Sequence, residues 1–78
     1  MGALMSVHTN RHRRFLAHLR QARKDAGLTQ VEVARRMRRP QSWVSKCETE
    51  ERRIDAVEFA DLAALYGKPM EWFVRKGR

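Results

Sequence analysis

The sequence predicts an all-α fold, a compact bundle of about five short helices, and three observations support this prediction. Apolar residues recur at three- and four-residue spacings, whereas no segment alternates apolar and polar residues as a half-buried strand does. Capping boxes that start helices occur twice, at Thr29 with Glu32 and at Asp55 with Glu58. Glycine and proline fall between the periodic segments, where helices end and begin.

The chain of 78 residues has room for one domain with one core. We expect residues 1–10 to be a flexible N-terminal tail and residues 11–78 to form the single domain. The tail has no basic region ahead of its weakly apolar residues, so it does not resemble a signal peptide. The first helix opens near Thr9 or Asn10 and stops at Gly27. Its predicted inner face consists of Phe15, Leu19, Ala22, Arg23 and Ala26.

Two short helices are predicted in the middle of the chain. Thr29 and Glu32 form the capping box that starts the second helix. The inner face of this helix consists of Val33, Ala34 and Met37. Pro40 suits the opening turn of a helix, so the third helix begins there and runs to about Thr49.

The last two helices repeat these start and stop signals. Asp55 and Glu58 start the fourth helix, and Gly67 stops it. The inner face of the fourth helix consists of Phe59, Leu62, Ala63 and Tyr66. Pro69 then opens a final short helix, which carries Met70, Trp72 and Phe73.

The chain is strongly basic, with 17 Lys and Arg against 9 Asp and Glu and a formal net charge of +8. Several cations fall in one span that contains no acidic residue: Arg35, Arg36, Arg38, Arg39 and Lys46. Such a basic face indicates a polyanionic partner, either nucleic acid or an anionic membrane. Membrane binding ranks lower because the basic helix lacks the broad Trp, Phe and Leu face of membrane anchors.

Other classes of protein are disfavoured by what the sequence lacks. The single cysteine, Cys47, excludes an internal disulfide framework and fits a reducing compartment, so we expect a cytoplasmic protein. No apolar run reaches the roughly 18–20 residues that span a bilayer. We find no phosphate-binding loop, catalytic triad or paired carboxylates, and expect no enzymatic activity and no cofactor. His8 and His12 have the spacing of helical metal ligands but no third ligand, so no metal site is predicted.

The second and third helices are joined by a very short link. Only Arg38, Arg39 and Pro40 separate them, which forces a sharp angle between the two helices. Two helices at about 90–120° joined by such a turn form a helix-turn-helix, whose second helix enters the DNA major groove. Amide, hydroxyl and ammonium groups on one side of that helix suit hydrogen bonds to base edges. The residues predicted to contact bases are Gln41, Ser42, Ser45 and Lys46.

Other residues are predicted to contact DNA phosphates. Arg39 lies at the turn, and Arg52 and Arg53 lie beyond the third helix, where the phosphates of the strands are expected. Trp43 is interpreted as having a mixed role, partly in the core and partly as a phosphate contact through its indole N–H. Cys47 points inward as a small core residue, with a redox switch as the alternative.

Motifs with a characteristic spacing run from Leu19 to Phe73. They are Leu19-Arg20, Arg23, Gly27-Leu28-Thr29-Gln30, Val33-Ala34, Val44-Ser45, Glu48 and Arg52-Arg53. In these motifs the chain resembles the helix-turn-helix family of phage repressors and Cro proteins, the xenobiotic-response-element (XRE) family. The resemblance covers about two thirds of the chain and implies a lambda-repressor-like DNA-binding domain.

The resemblance also implies roles for individual residues. Gln30 would contact a phosphate and brace Gln41, and Arg23 would pair with Glu48 across the first and third helices. Gln41 matches a base-contacting position of the family, as do Ser42 and Lys46.

The chain departs from the family at two positions. The family usually has glycine where this chain has Arg38 and Glu50. A non-glycine residue at positive φ costs on the order of 1 kcal/mol, unless the turn is built differently.

The predicted function is sequence-specific binding of double-stranded DNA by a small transcriptional regulator, either a repressor or an autoregulator. One recognition helix covers only a few base pairs, so we expect a homodimer on a palindromic operator. The final helix carries more apolar surface than one inward face can hide, which predicts a dimer interface of Met70, Trp72 and Val74. Alternatively, Trp72 and Phe73 close the core of the monomer. The alternative function is an antitoxin or interaction module that binds a protein partner, such as a toxin or co-regulator.

Overall fold

Five α-helices account for most of residues 10–75, the part of the chain that the computed structural model describes. They are α1 (Asn10–Asp25), α2 (Gln30–Met37), α3 (Gln41–Cys47), α4 (Ala56–Tyr66) and α5 (Met70–Val74). No strand occurs within these residues, and the predicted all-α fold is confirmed. The predicted tail lies outside the described residues, as does His8, except that Asn10 is already the first residue of α1. Residues 76–78 of the predicted domain also lie outside them.

Local signals set the ends of the helices. At the start of α2, the Glu32 N–H donates to Thr29 Oγ1 at 3.1 Å, and the Thr29 N–H donates to Glu32 Oε1 at 2.8 Å. The box at the start of α4 is also closed, with the Glu58 N–H donating to Asp55 Oδ1 at 2.8 Å. Gly67 ends α4 in the left-handed region, at φ 74°. Both capping boxes are therefore present as predicted.

One core joins all five helices. Its largest fully buried side chains are Phe73, Leu19, Val33, Val44 and Cys47. Burying a Phe, Leu or Val side chain stabilises the fold by about 1.5–3 kcal/mol relative to exposing it. The ring of Phe59 meets those of Phe15 and Phe73 edge to face, at centroid distances of 5.1 and 5.3 Å. These rings join α1, α4 and α5.

The predicted inner face of α1 needs one correction. Ala26 is exposed because α1 ends at Asp25, so Ala26 belongs to the turn before Gly27. Leu16, which the prediction did not include, is buried beside Leu19 instead. The side of α1 that faces the core therefore includes Leu16 together with Phe15, and it ends before Ala26.

The turn between α2 and α3 depends on a strained residue. Arg38 ends α2 in the left-handed region, at φ 57° and ψ 45°, and is the non-glycine residue with positive φ within residues 10–75. The Arg39 N–H then donates to the Ala34 carbonyl at 2.9 Å, which closes the end of α2. Pro40, with φ −64°, starts α3 directly afterwards. Glu50, where the family also usually has glycine, adopts no such conformation.

We expect Arg38→Gly to stabilise the protein by up to about 1 kcal/mol, because glycine adopts this conformation without a clash of Cβ. The matched control is Arg36→Gly, which places glycine inside α2 and should cost about 1 kcal/mol. Urea denaturation of the two variants and the wild type measures both changes. A destabilisation by Arg38→Gly as large as that by Arg36→Gly would contradict the strain at this turn.

Candidate nucleic-acid interface

Helix α3 divides into a buried side and an exposed side. Trp43, Val44 and Cys47 face the core that α3 shares with α2. Gln41, Ser42 and Lys46 are exposed, and Ser45 is partly buried. The four residues predicted to contact bases therefore lie on the side of α3 that faces away from the core, or at its edge.

A buried ion pair fixes α3 against α1. Arg23 Nε donates to Glu48 Oε2 at 2.6 Å, and Arg23 Nη2 donates to Glu48 Oε1 at 3.1 Å. The side chains are only 12% and 4% exposed, so water screens this bidentate pair poorly. The hydrogen bond to Glu48 raises the pKa of Arg23 above its ordinary value. The structure thus brings together the two residues that the resemblance paired.

Arg23 and Arg20 also donate hydrogen bonds to backbone carbonyls near the ion pair. Arg23 Nη1 donates to the Leu28 carbonyl at 3.1 Å, which extends the contact to the turn before α2. Arg20 Nη1 donates to the backbone carbonyl of Glu48 at 2.7 Å, close to the end of α3. The C-terminal end of α3 is therefore held by two arginines of α1, one through the carboxylate and one through the backbone.

Two glutamines connect this ion pair to the exposed side of α3. Gln30 Nε2 donates to Glu48 Oε1 at 3.1 Å. Gln41 Nε2 donates to Gln30 Oε1 at 3.4 Å, which is long for an N–H···O bond. Gln30 and Gln41 are thus in contact, as the resemblance implied, and both are linked to the buried carboxylate of Glu48.

Two of the arginines predicted to contact phosphates converge on Glu58. Arg52 donates to Glu58 through Nη1 at 2.9 Å and Nη2 at 3.0 Å, and Arg39 Nη2 donates to Oε2 at 3.3 Å. The hydrogen bonds from Arg52 lower the pKa of Glu58 below its ordinary value. Sequence reasoning identified Glu58 only as a capping residue. Arg39 and Arg52 flank α3 in sequence, and spacing alone could not assign them to a carboxylate of α4.

Trp43 takes the core part of its predicted mixed role. Its side chain belongs to the core, and Nε1 is buried with no hydrogen-bond partner among the described residues. In this structure the indole N–H does not face solvent, and the phosphate contact of Trp43 stays a prediction. The ring instead lies beneath two guanidinium groups, with Arg39 Cζ at 4.9 Å and Arg52 Cζ at 5.5 Å from its centroid. Trp43 therefore positions two arginines at the edge of α3.

Arg53 and Cys47 are two further residues for which the sequence predicted a role. Arg53 is exposed, and its carbonyl accepts a hydrogen bond from Arg52 Nη1 at 2.7 Å. Cys47 is buried, and burial raises the pKa of its thiol, which keeps it in the unreactive protonated form. The position of Cys47 agrees with the predicted core role.

The residues predicted to form a dimer interface lie on α5, away from α3 in sequence. Met70 and Val74 are 40% and 41% exposed. Trp72 is partly buried, and its ring is flanked by Lys68 Nζ at 4.4 Å and Arg75 Cζ at 4.1 Å from its centroid. The apolar surface left open on α5 is thus provided mainly by Met70 and Val74.

Comparison with known protein families places these features in context. The family described as "Helix-turn-helix domain" matches residues 14–71. The chain belongs to this helix-turn-helix domain family. Neither the comparison with curated proteins nor that with solved structures found a match. The matched region includes the pair α2 and α3, the Arg23–Glu48 ion pair and Glu58, so the helix-turn-helix assignment covers the whole candidate interface.

Within residues 10–75, no helix combines the length and the apolar character that crossing a membrane requires.

We expect Arg23→Ala to lower the free energy of unfolding by about 3–5 kcal/mol, because it leaves the Glu48 carboxylate buried without its partner. Arg20→Ala is the control, since Arg20 is exposed and donates to the backbone oxygen of Glu48, not to its carboxylate. Urea denaturation should show a far smaller loss for this control. Equal losses for the two variants would mean that the Arg23–Glu48 pair contributes no more than a surface contact.

Proposed function

We propose that this helix-turn-helix protein is a sequence-specific DNA-binding transcriptional regulator of the phage-repressor (XRE) type, acting as a repressor or autoregulator. The observation that carries the proposal is the exposed face of α3, where Gln41, Ser42 and Lys46 offer amide, hydroxyl and ammonium groups to solvent. These groups match base edges in the major groove. The helix that presents them is fixed to the core by the buried Arg23–Glu48 pair.

The basic residues around α3 supply the contacts to phosphates in this proposal. Arg39 and Arg52 lie at the edge of α3, where Glu58 and the Trp43 ring hold their guanidinium groups. Arg53 is exposed beyond α3, and Gln30 lies at the start of α2. With a net charge of +8, the chain is attracted to DNA of any sequence, and the phosphate contacts orient it for base recognition.

We further propose that two copies act together on a palindromic operator. Two recognition helices about 34–36 Å apart would enter successive major grooves on one side of the DNA. The exposed Met70 and Val74 on α5, with the edge of Trp72, form the surface for a second copy. An isologous contact through this helix places each residue of α5 near the α5 of the partner.

Selection of bound sites from random duplex DNA tests the function directly. A single consensus made of two inverted half-sites is the expected result. Binding of all duplexes with the same affinity at physiological salt would contradict the proposal.

Substitutions in the interface should separate base recognition from phosphate contact. Gln41→Ala should cost about 1–3 kcal/mol on the preferred site and relax the preference at one or two positions. Arg53→Ala should weaken binding to all sequences alike and reduce the slope of log K against log salt by about one. Repeating the selection with each variant measures both effects. A consensus unchanged by Gln41→Ala would contradict its role in base contact.

Substitutions on α5 test the dimer. Val74→Glu introduces charge into the proposed interface, so it should leave a folded helical monomer that binds DNA weakly and without the spacing of the two half-sites. Val57→Glu is a matched control, because Val57 is 71% exposed on α4 and outside the proposed interface. Sedimentation and DNA binding should be nearly unchanged in the control. A wild-type protein that remains monomeric at high micromolar concentration, both free and on DNA, would contradict the dimer.

A further inference from the structure

The hydrogen bonds around Glu48 constrain the direction of an amide group. Arg23 binds both oxygens of the Glu48 carboxylate, and Oε1 also accepts a hydrogen bond from Gln30 Nε2. A carboxylate held in a bidentate pair with arginine is ionised and has no hydrogen to donate. Gln30 must therefore turn its NH₂ group, and not its oxygen, towards Glu48.

The direction of the Gln30 amide then determines that of Gln41. With its nitrogen used on Glu48, Gln30 presents Oε1 to Gln41 at 3.4 Å. Only the NH₂ group of Gln41 can donate to this oxygen. Gln41 thus uses one N–H within the protein. Its Oε1 and its second N–H remain available for hydrogen bonds to a base in the DNA major groove.

This remaining pair of groups distinguishes the two purines. One acceptor beside one donor matches adenine, which offers an N6 donor and an N7 acceptor in the major groove. Guanine offers two acceptors there, N7 and O6. A reversed Gln41 amide would accept from Gln30 through Oε1 and leave two N–H donors, which suit guanine.

We infer that Glu48 is a positioning residue for base recognition, which acts through Gln30 to orient the Gln41 amide for adenine over guanine. The inference rests on the proposed function, because it assigns a base to one contact of the same interface. Glu48 thereby has a role beyond stability. Its negative charge prevents the Gln30 amide from reversing, and this in turn fixes the base that Gln41 prefers.

Two variants break the relay at different points. Gln30→Met removes the connecting amide and leaves the Arg23–Glu48 pair in place. Glu48→Gln keeps the size of the side chain, but an amide at this position can donate as well as accept, so Gln30 is free to turn. Glu51→Gln is the matched control, because it makes the same change of charge at an exposed residue near the end of α3. Circular dichroism confirms that each variant is folded at the temperature of the binding assay, and Gln30→Met carries the test if Glu48→Gln does not fold.

The measurement compares the affinities for two duplexes that carry adenine or guanine at one base pair of the selected consensus. This base pair is the one at which Gln41→Ala reduces the sequence preference. We expect Gln30→Met and Glu48→Gln to reduce this preference by about tenfold, within the range of a bidentate base contact. Glu51→Gln should leave the preference unchanged. In a Gln41→Ala background, Gln30→Met should cause no further change in the ratio of affinities for adenine and guanine. It should weaken binding to every sequence equally if Gln30 also contacts a phosphate.

The outcomes separate the relay from the function on which it rests. A wild-type protein with no preferred site would overturn the proposed function and the relay together. A sharp wild-type consensus that Gln30→Met weakens uniformly, with its preference for adenine intact, would overturn the relay alone. Preference for a base other than adenine at the position of Gln41 would also overturn it.

Discussion

The candidate interface depends first on the ion pair between Arg23 and Glu48. It joins the first and third helices at a place where both side chains are largely shielded from water. Burying two charges is costly, and only the bidentate geometry with its additional donors offsets that cost. Because Glu48 directly follows the last turn of α3, the pair fixes the position of this helix relative to the rest of the core. The exposed side of α3 is therefore held in one orientation before any partner binds.

A second carboxylate, Glu58, organises the basic residues on another side of α3. It starts α4 as part of a capping box and also accepts hydrogen bonds from Arg39 and Arg52. These contacts place two guanidinium groups over the Trp43 ring instead of leaving them to move freely in solvent. Ordering long side chains in advance lowers the conformational entropy lost on binding. The basic surface of this helix-turn-helix protein is thus partly neutralised and partly preorganised.

Helix α3 needs these tertiary contacts because it is very short. A helix of 7 residues has no stability of its own in water. The burial of Trp43, Val44 and Cys47 supplies the packing that maintains it. Strain at Arg38 opposes the same arrangement, since the turn before α3 needs a left-handed residue. Packing and the hydrogen bonds around Glu48 together outweigh that local cost. The contacts that stabilise the core therefore also fix the geometry of the exposed face of α3.

The sequence by itself determined the helices and the outward side of α3. Capping boxes, Gly67 and Pro40 act within a few residues, and helical periodicity separates Gln41 and Lys46 from Val44. The match of Arg23 to Glu48 was available only from the resemblance to a family. Which residues meet across the core was decided by the tertiary structure.

Contacts over long separations in sequence show why. The bonds of Gln30 to Glu48 and of Arg39 to Glu58 join residues 18 and 19 positions apart, so they depend on how helices pack and not on local pattern. The burial of the Trp43 indole is of the same kind: a tryptophan on a short helix can face either way, and only the neighbouring elements enclose it. Local backbone signals are encoded in adjacent residues, whereas partners of long side chains are set by the three-dimensional arrangement of the helices that carry them.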